Sequence, residues 1–175
     1  MNYDIIVIGS GPGGYVTAIR ASQLGLKTAV VERDALGGIC LNWGCIPTKA
    51  LLKSANVFEY IQHASDYGIT VKDSKADFGG MVDRSRGVAN GMSQGIQFLM
   101  KKNKIDVIKG FGVLKAGKKV AVTAEDGTVT EYTADKGIII ATGARSRQLP
   151  NLPQDGTKII GYREAMSMKT QPKKM

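Results

Sequence analysis

Apolar and polar positions in the first third of the chain follow two different periods. Residues 3–8, YDIIVI, make a short apolar run that ends at Gly9, and a helical pattern follows from about Gly13 to Leu24. Gly25 stands where a C-terminal cap belongs. A second apolar run, TAVVE at 28–32, completes a strand–helix–strand unit, whose crossover implies parallel strands with a right-handed connection. Residues 46–65 return to the helical period through Ala50, Leu51, Ala55, Val57, Phe58 and Ile61. A further helix is predicted over 77–101, weakened by Gly79, Gly80, Gly87, Gly91 and Gly95, each costing about 1 kcal/mol against alanine.

From residue 105 the period shortens to two. IDVIKG precedes VLKAGKKVAVTAEDGTVTEYTADKGIIIATG, and Gly117-Lys118 and Asp126-Gly127 mark turns between alternating runs, so a small antiparallel meander is expected. GIIIATG at 137–143 is continuously apolar and predicts a strand buried on both faces. The fold class that follows is α/β, a Rossmann-like parallel sheet plus a small antiparallel β-meander.

Composition changes this picture little. Of 175 residues, 43% are hydrophobic and 22% charged, which is globular composition and predicts one ordinary core. No basic leader and no run of 18 apolar residues is present, so the expectation is a cytoplasmic protein with no membrane segment. The formal charge of +9 invites a nucleic-acid reading. The lysines instead fall in short clusters with few aromatics beside them, at 101–104, 115–119 and 169–174, and read as solvated faces; no nucleic-acid partner is expected.

Two stretches carry chemistry. GSGPGG at 9–14 satisfies G-x-G-x-x-G in its required context, after a strand and before a helix, with Glu32 ending the next strand. Gly9 permits the tight turn, Gly11 lets backbone N–H groups approach a pyrophosphate, and Gly14 allows close helix–strand packing. Glu32 suits an unphosphorylated adenosine ribose and argues against a 2′-phosphate.

The second stretch is LGGICLNWGCIPTKALL at 36–52, which holds the only two cysteines. In a regular helix Cys40 and Cys45 would stand about 7.5 Å apart along the axis and about 140° around it, too far for a disulfide. Gly44 supplies the needed irregularity, and Pro47 cannot donate to the Trp43 carbonyl. The segment therefore permits a very short disulfide ring, of little use as a staple and better suited to a reversible redox couple. Two inert thiols and a metal site are the competing readings; with His63 as the lone histidine, no closed four-ligand zinc site can form and no metal is expected. Cys45 at a helix N-terminus, with Lys49 one turn on, predicts a lowered thiol pKa. His63, about 27 Å along the helix from Cys45, is expected at the surface or the core edge.

GSGPGG with Glu32, then GGICLNWGCIPTKALL, then IIIATGAR at 138–145, resemble the N-terminal part of the flavin-dependent disulfide reductases, the class I pyridine nucleotide–disulfide oxidoreductases. LNWGCIPTKALL leans towards the branch that oxidises protein-bound dihydrolipoyl groups, rather than the glutathione or mercuric branches. The resemblance implies extended FAD, with Gly9, Gly11, Pro12, Gly13 and Gly14 at its pyrophosphate and Glu32 and Arg33 at its adenosine ribose. Gly38 would line the phosphate and ribitol path, Gly112 would lie by the adenine, and Ala141, Thr142 and Gly143 would approach FAD again. Lys49 would stand beside the flavin. Cys40 would be the thiol that exchanges with substrate, and Cys45 the thiolate that faces the flavin, with electrons passing on to NAD. Ile39 and Trp43 depart from the threonine and valine that many members carry.

The same resemblance implies lipoyl domains of 2-oxo acid dehydrogenase or glycine cleavage complexes as partners, and a homodimer in full-length form. Residues 1–150 would be the first segment of the FAD domain with its redox disulfide, and 151–175 the start of a connection to an NAD-binding domain. The second nucleotide motif, the returning flavin segment and the dimer domain are not found in the sequence, so a fragment inactive by itself is expected. The alternatives are another flavin disulfide reductase and a standalone FAD-binding redox module.

Overall fold

A computed structural model describes residues 1–174. The chain divides into two compact units: Met1–Asn42 with Gly91–Arg145, and Trp43–Asn90 with Ser146–Met175. The expected connecting segment from 151 belongs to the second unit.

The first unit is built on β1 (Asn2–Ile8), α1 (Pro12–Gln23) and β2 (Thr28–Glu32). Pro12 opens α1, where its missing N–H costs nothing and its fixed φ suits the first turn. The helix ends as predicted: Gly25 takes φ +81°, its N–H donates to the Ser22 carbonyl, and the Leu26 N–H donates to the Ala21 carbonyl. The buried positions of α1, Gly14, Ala18 and Ala21, share one face and are all small, so the helix lies close on β1 and β2.

Four more strands complete a six-stranded sheet of order β3-β2-β1-β6-β5-β4, with β3 (Asp106–Lys109), β4 (Phe111–Lys115), β5 (Lys119–Thr123) and β6 (Val129–Ile140). β3, β2, β1 and β6 run parallel, while β5 lies antiparallel to both β4 and β6. The meander is thus part of the main sheet, and β6 serves both halves. Val120 and Val122 of β5 share one core cluster with Ile6, Ile8, Ala29 and Val31 of β1 and β2.

One expectation needs correction. The apolar run at 137–143 is not a strand buried on both faces; β6 begins earlier and ends at Ile140, with Ile138 and Ile139 half-buried and Ile140 63% exposed. The β5 ladder accompanies β6 only as far as Thr133, so among the described residues 137–140 pair with β1 alone.

The second unit carries α3 (Cys45–Gln62), which α2 (Gly38–Trp43) precedes across the unit boundary, the short 3₁₀ turn Ala64–Tyr67, and α5 (Tyr162–Ser167). The long helix α4 (Phe78–Lys102) runs unbroken through residues of both units. Its buried positions, Val82, Ser85, Ala89, Ser93, Ile96 and Met100, recur at intervals of three and four. That stripe outweighs the glycines, of which Gly80, Gly87, Gly91 and Gly95 are exposed.

Candidate functional site

The glycine loop leaves β1 at Gly9 and enters α1 at Pro12. Gly9 has φ +98°, and a Cβ there would stand 2.3 Å from the Ala141 carbonyl oxygen. A Cβ on Gly14 would stand 1.9 Å from the Gly9 carbonyl oxygen, and one on Gly38 would stand 2.6 Å from the Gly11 Cα. These three glycines are required by neighbouring backbone. Gly11 and Gly13 differ, because beyond their α-carbons there is nothing within 4 Å. Gly11 is the N-cap of α1, and no side chain caps the helix there. An uncapped helix N-terminus beside open backbone suits an anion with several acceptor oxygens.

Glu32 ends β2 against this loop. Its Oε2 accepts from the Ser10 backbone N–H at 2.9 Å and the Ser10 hydroxyl at 2.7 Å, while Oε1 accepts from the Asp34 N–H at 2.9 Å. Ser10 is fully buried, and its carbonyl oxygen and Oγ both accept from the Gly37 N–H. The Asn42 amide nitrogen donates to the Leu36 and Gly38 carbonyls, each at 3.0 Å, and the Ser93 hydroxyl donates to the Leu36 carbonyl at 2.9 Å. Sequence reasoning passed over Ser10, Asn42 and Ser93. The only signal available for Ser10 was a small polar residue between two glycines of the loop.

The other expected residues are placed as follows. Arg33 follows Glu32 with its guanidinium over the Phe111 ring, 5.6 Å from the centroid. Gly112 sits in β4 above the core, where a Cβ would press on Val31 and Ile8 at 3.0 and 3.2 Å. Ala141 follows β6, its N–H donating to the Ile8 carbonyl at 2.8 Å; Thr142 and Gly143 are exposed, the latter with φ +67°. An open groove of about 770 Å³ runs beside Glu32, lined also by Leu36, Gln97, Lys104 and Lys109. The first unit thus brings together the glycine loop, Glu32, Gly38 and Ala141, while Cys45 and Lys49 belong to the second.

Cys40 lies in α2 and Cys45 is the first residue of α3, with Gly44 between the helices at φ −141°, ψ −112°. Neither cysteine is free: both are disulfide-bonded, and as the only two in the chain they are bonded to each other. The expected break at Gly44 is what permits this ring. Pro47 is buried in the first turn of α3, and the first helical bond, from the Thr48 N–H to the Gly44 carbonyl, forms at 3.0 Å. Cys40 is half-buried; Cys45 and Lys49 are exposed. His63 caps the far end of α3 and is exposed, with Nδ1 2.9 Å from the Glu59 carbonyl oxygen. No group of three or more potential metal ligands occurs among the described residues, and no helix there is long and apolar enough to cross a membrane.

A glycine cradle on the parallel half of a mixed sheet, followed in the chain by a disulfide between residues five apart, defines a class. The chain matches the pyridine nucleotide-disulphide oxidoreductase family over residues 3–175 and belongs to it. It is 51% identical to a dihydrolipoyl dehydrogenase of Rhizobium etli and 50% identical to one of Zymomonas mobilis, each alignment covering 99% of this chain. The chain spans 39% and 37% of the length of those two relatives. Among solved structures, LpdA from Mycobacterium tuberculosis superimposes with a TM-score of 0.84 at 27% identity, over 95% of this chain and 37% of that one.

Proposed function

We propose that the chain is the FAD-holding, disulfide-bearing part of a dihydrolipoyl dehydrogenase. The observation that carries this reading is the Cys40–Cys45 disulfide, closed across Gly44 at the head of α3. A ring this short adds little stability through loop entropy, which favours a redox role over a structural one. The relatives at about half identity point the same way.

In this reading the residues divide the work. Gly11 and Gly13 leave the backbone open to the cofactor pyrophosphate, the α1 N-terminus favours its charge, and Glu32 orients the adenosine ribose. Gly38, Ala141, Thr142 and Gly143 line its path, with Arg33 and Gly112 towards the adenine end and Lys49 towards the flavin. A dihydrolipoyl thiolate attacks Cys40 Sγ, the Cys40–Cys45 bond breaks, and Cys45 leaves as a thiolate. The second substrate thiol then displaces Cys40 from the mixed disulfide, so that lipoyl disulfide departs and two electrons remain on the cysteine pair. Bound FAD supplies the acceptor for that electron pair and the route to NAD. The full-length protein is proposed as a cytoplasmic homodimer serving lipoyl domains of 2-oxo acid dehydrogenase or glycine cleavage complexes.

The test is a visible absorption spectrum of the chain with added FAD, after removal of unbound cofactor, before and after dithiothreitol. Retained flavin bands that gain a long-wavelength shoulder on reduction are the expected result. Retained flavin without the shoulder would separate the thiols from the cofactor and favour a plain FAD-binding module. Failure of the full-length protein to take up FAD would overturn the assignment of the glycine cradle.

A further inference from the structure

Trp43 is the only tryptophan of the chain, and it lies inside the ring that the Cys40–Cys45 disulfide closes. Two guanidinium groups stand over its indole: Arg86 of α4, with Cζ 4.1 Å from the ring centroid, and Arg163 of α5, at 5.1 Å. All three residues belong to the second unit, as does Cys45. Arg86 Nη1 is buried and has no hydrogen-bond partner among the described residues, and burial lowers the Arg86 pKa. A guanidinium that buries a donor without an acceptor gives up solvation; what it gains at this place is the face of the indole.

The need for such a grip follows from the backbone. While the disulfide is closed, the six-residue ring holds its own shape. Once it is reduced, the link between Trp43 and Cys45 is Gly44, and α3 has no side-chain cap to fix its first residue. Free rotation there would let the sulfurs drift apart and lower the effective concentration of each for the other.

We propose that Arg86 and Arg163 are positioning residues which, by gripping Trp43, keep the reduced Cys40/Cys45 loop in its closed shape so that the disulfide re-forms readily. The proposal rests on the redox reading of the pair given above, and Trp43 itself reports on it.

The chain, with the variants R86Q, R163Q, R86Q/R163Q and R86K, is equilibrated anaerobically across a series of reduced-to-oxidised dithiothreitol ratios. In this exchange the dithiol transfers two electrons and two protons to the cysteine pair and leaves as its cyclic disulfide. Thiols are counted by alkylation and mass, and Trp43 emission is recorded in parallel. In the double variant the equilibrium is expected to move towards the dithiol by roughly tenfold, about 30 mV for a two-electron couple. The single Gln variants should move it less, and R86K should stay near the parent. Trp43 emission in the reduced state should shift to longer wavelength in the double variant and hold its position in the parent.

An equilibrium constant unchanged in R86Q and R163Q, with unchanged emission, would overturn the grip. A shift the other way, towards the disulfide, would also overturn it, because it would show the cations acting on thiolate charge. A parent pair that takes up no electrons at any ratio would instead bring down the redox reading, and the grip with it. Should the double variant fail to fold by circular dichroism, the single variants and R86K decide the question.

Discussion

Gly13 and Gly14 are neighbours in sequence and opposites in what they tolerate. A methyl group on Gly14 would meet the Gly9 carbonyl at 1.9 Å, so α1 would have to move off β1; Gly14→Ala should cost about 2–3 kcal/mol and abolish FAD retention. On Gly13 the same methyl meets nothing within 4 Å and replaces a helical glycine. Gly13→Ala should therefore raise stability by up to about 1 kcal/mol while weakening FAD retention, because the space it fills is where the cofactor backbone contact would form. Urea titration and FAD retention, measured on both variants, check the pair. The close packing at Gly14 was legible because backbone geometry dictates the spacing of the loop glycines. Ser10 and Asn42 were not, since the first serves a carboxylate 22 positions away and the second serves carbonyls that only the folded turn brings within reach.

At the scale of elements, α4 shows why local propensity misjudged the chain. Five glycines argued for an uncertain course, yet the helix is continuous for 25 residues because one stripe of side chains is buried along its whole length. Gly87, Gly91 and Gly95 face solvent with open space around their α-carbons. Replacing all three by alanine should add about 2 kcal/mol and raise the thermal midpoint by roughly 4–8 °C, read by circular dichroism. The first strand–helix–strand unit and the two meander turns were readable from period and turn residues. The short helices α2 and α5 were not, being six residues each, too brief for a period to show. The exposure of the end of β6 also escaped, because an apolar run records no more than a preference for burial.

For the molecule as a whole, ionisation sets two limits of stability. The Tyr3 hydroxyl donates to Asp106 at 3.0 Å, tying β1 to β3 across β2, and burial first, then that carboxylate, pushes the phenol up to about 12. A raised phenol pKa means that stability is complete below the ordinary value near 10 and is lost as pH climbs from there to about 12. Asp4, Asp126 and Asp155 lie below their ordinary value, chiefly through backbone N–H donors, with Asp155 at about 2. Their contribution is present above pH 4 and is lost as pH falls through their folded values. Stability should thus be level between roughly pH 4 and 10, and Tyr3→Phe should remove most of the alkaline decline at a cost of about 1 kcal/mol at neutral pH. Chemical denaturation at a series of pH values checks both statements.

The contact between Glu32 and Ser10 has a further consequence at this scale. Before any ligand arrives, the carboxylate is already oriented by three donors, and the loop it holds is already fixed in the shape that the proposed pyrophosphate site would use. Folding has done in advance the ordering that binding would otherwise have to perform, so preorganisation and stability share a single cause. A change that loosens this contact loosens both, and a ligand that settles in the loop stabilises the whole chain in return, in proportion to the logarithm of its concentration.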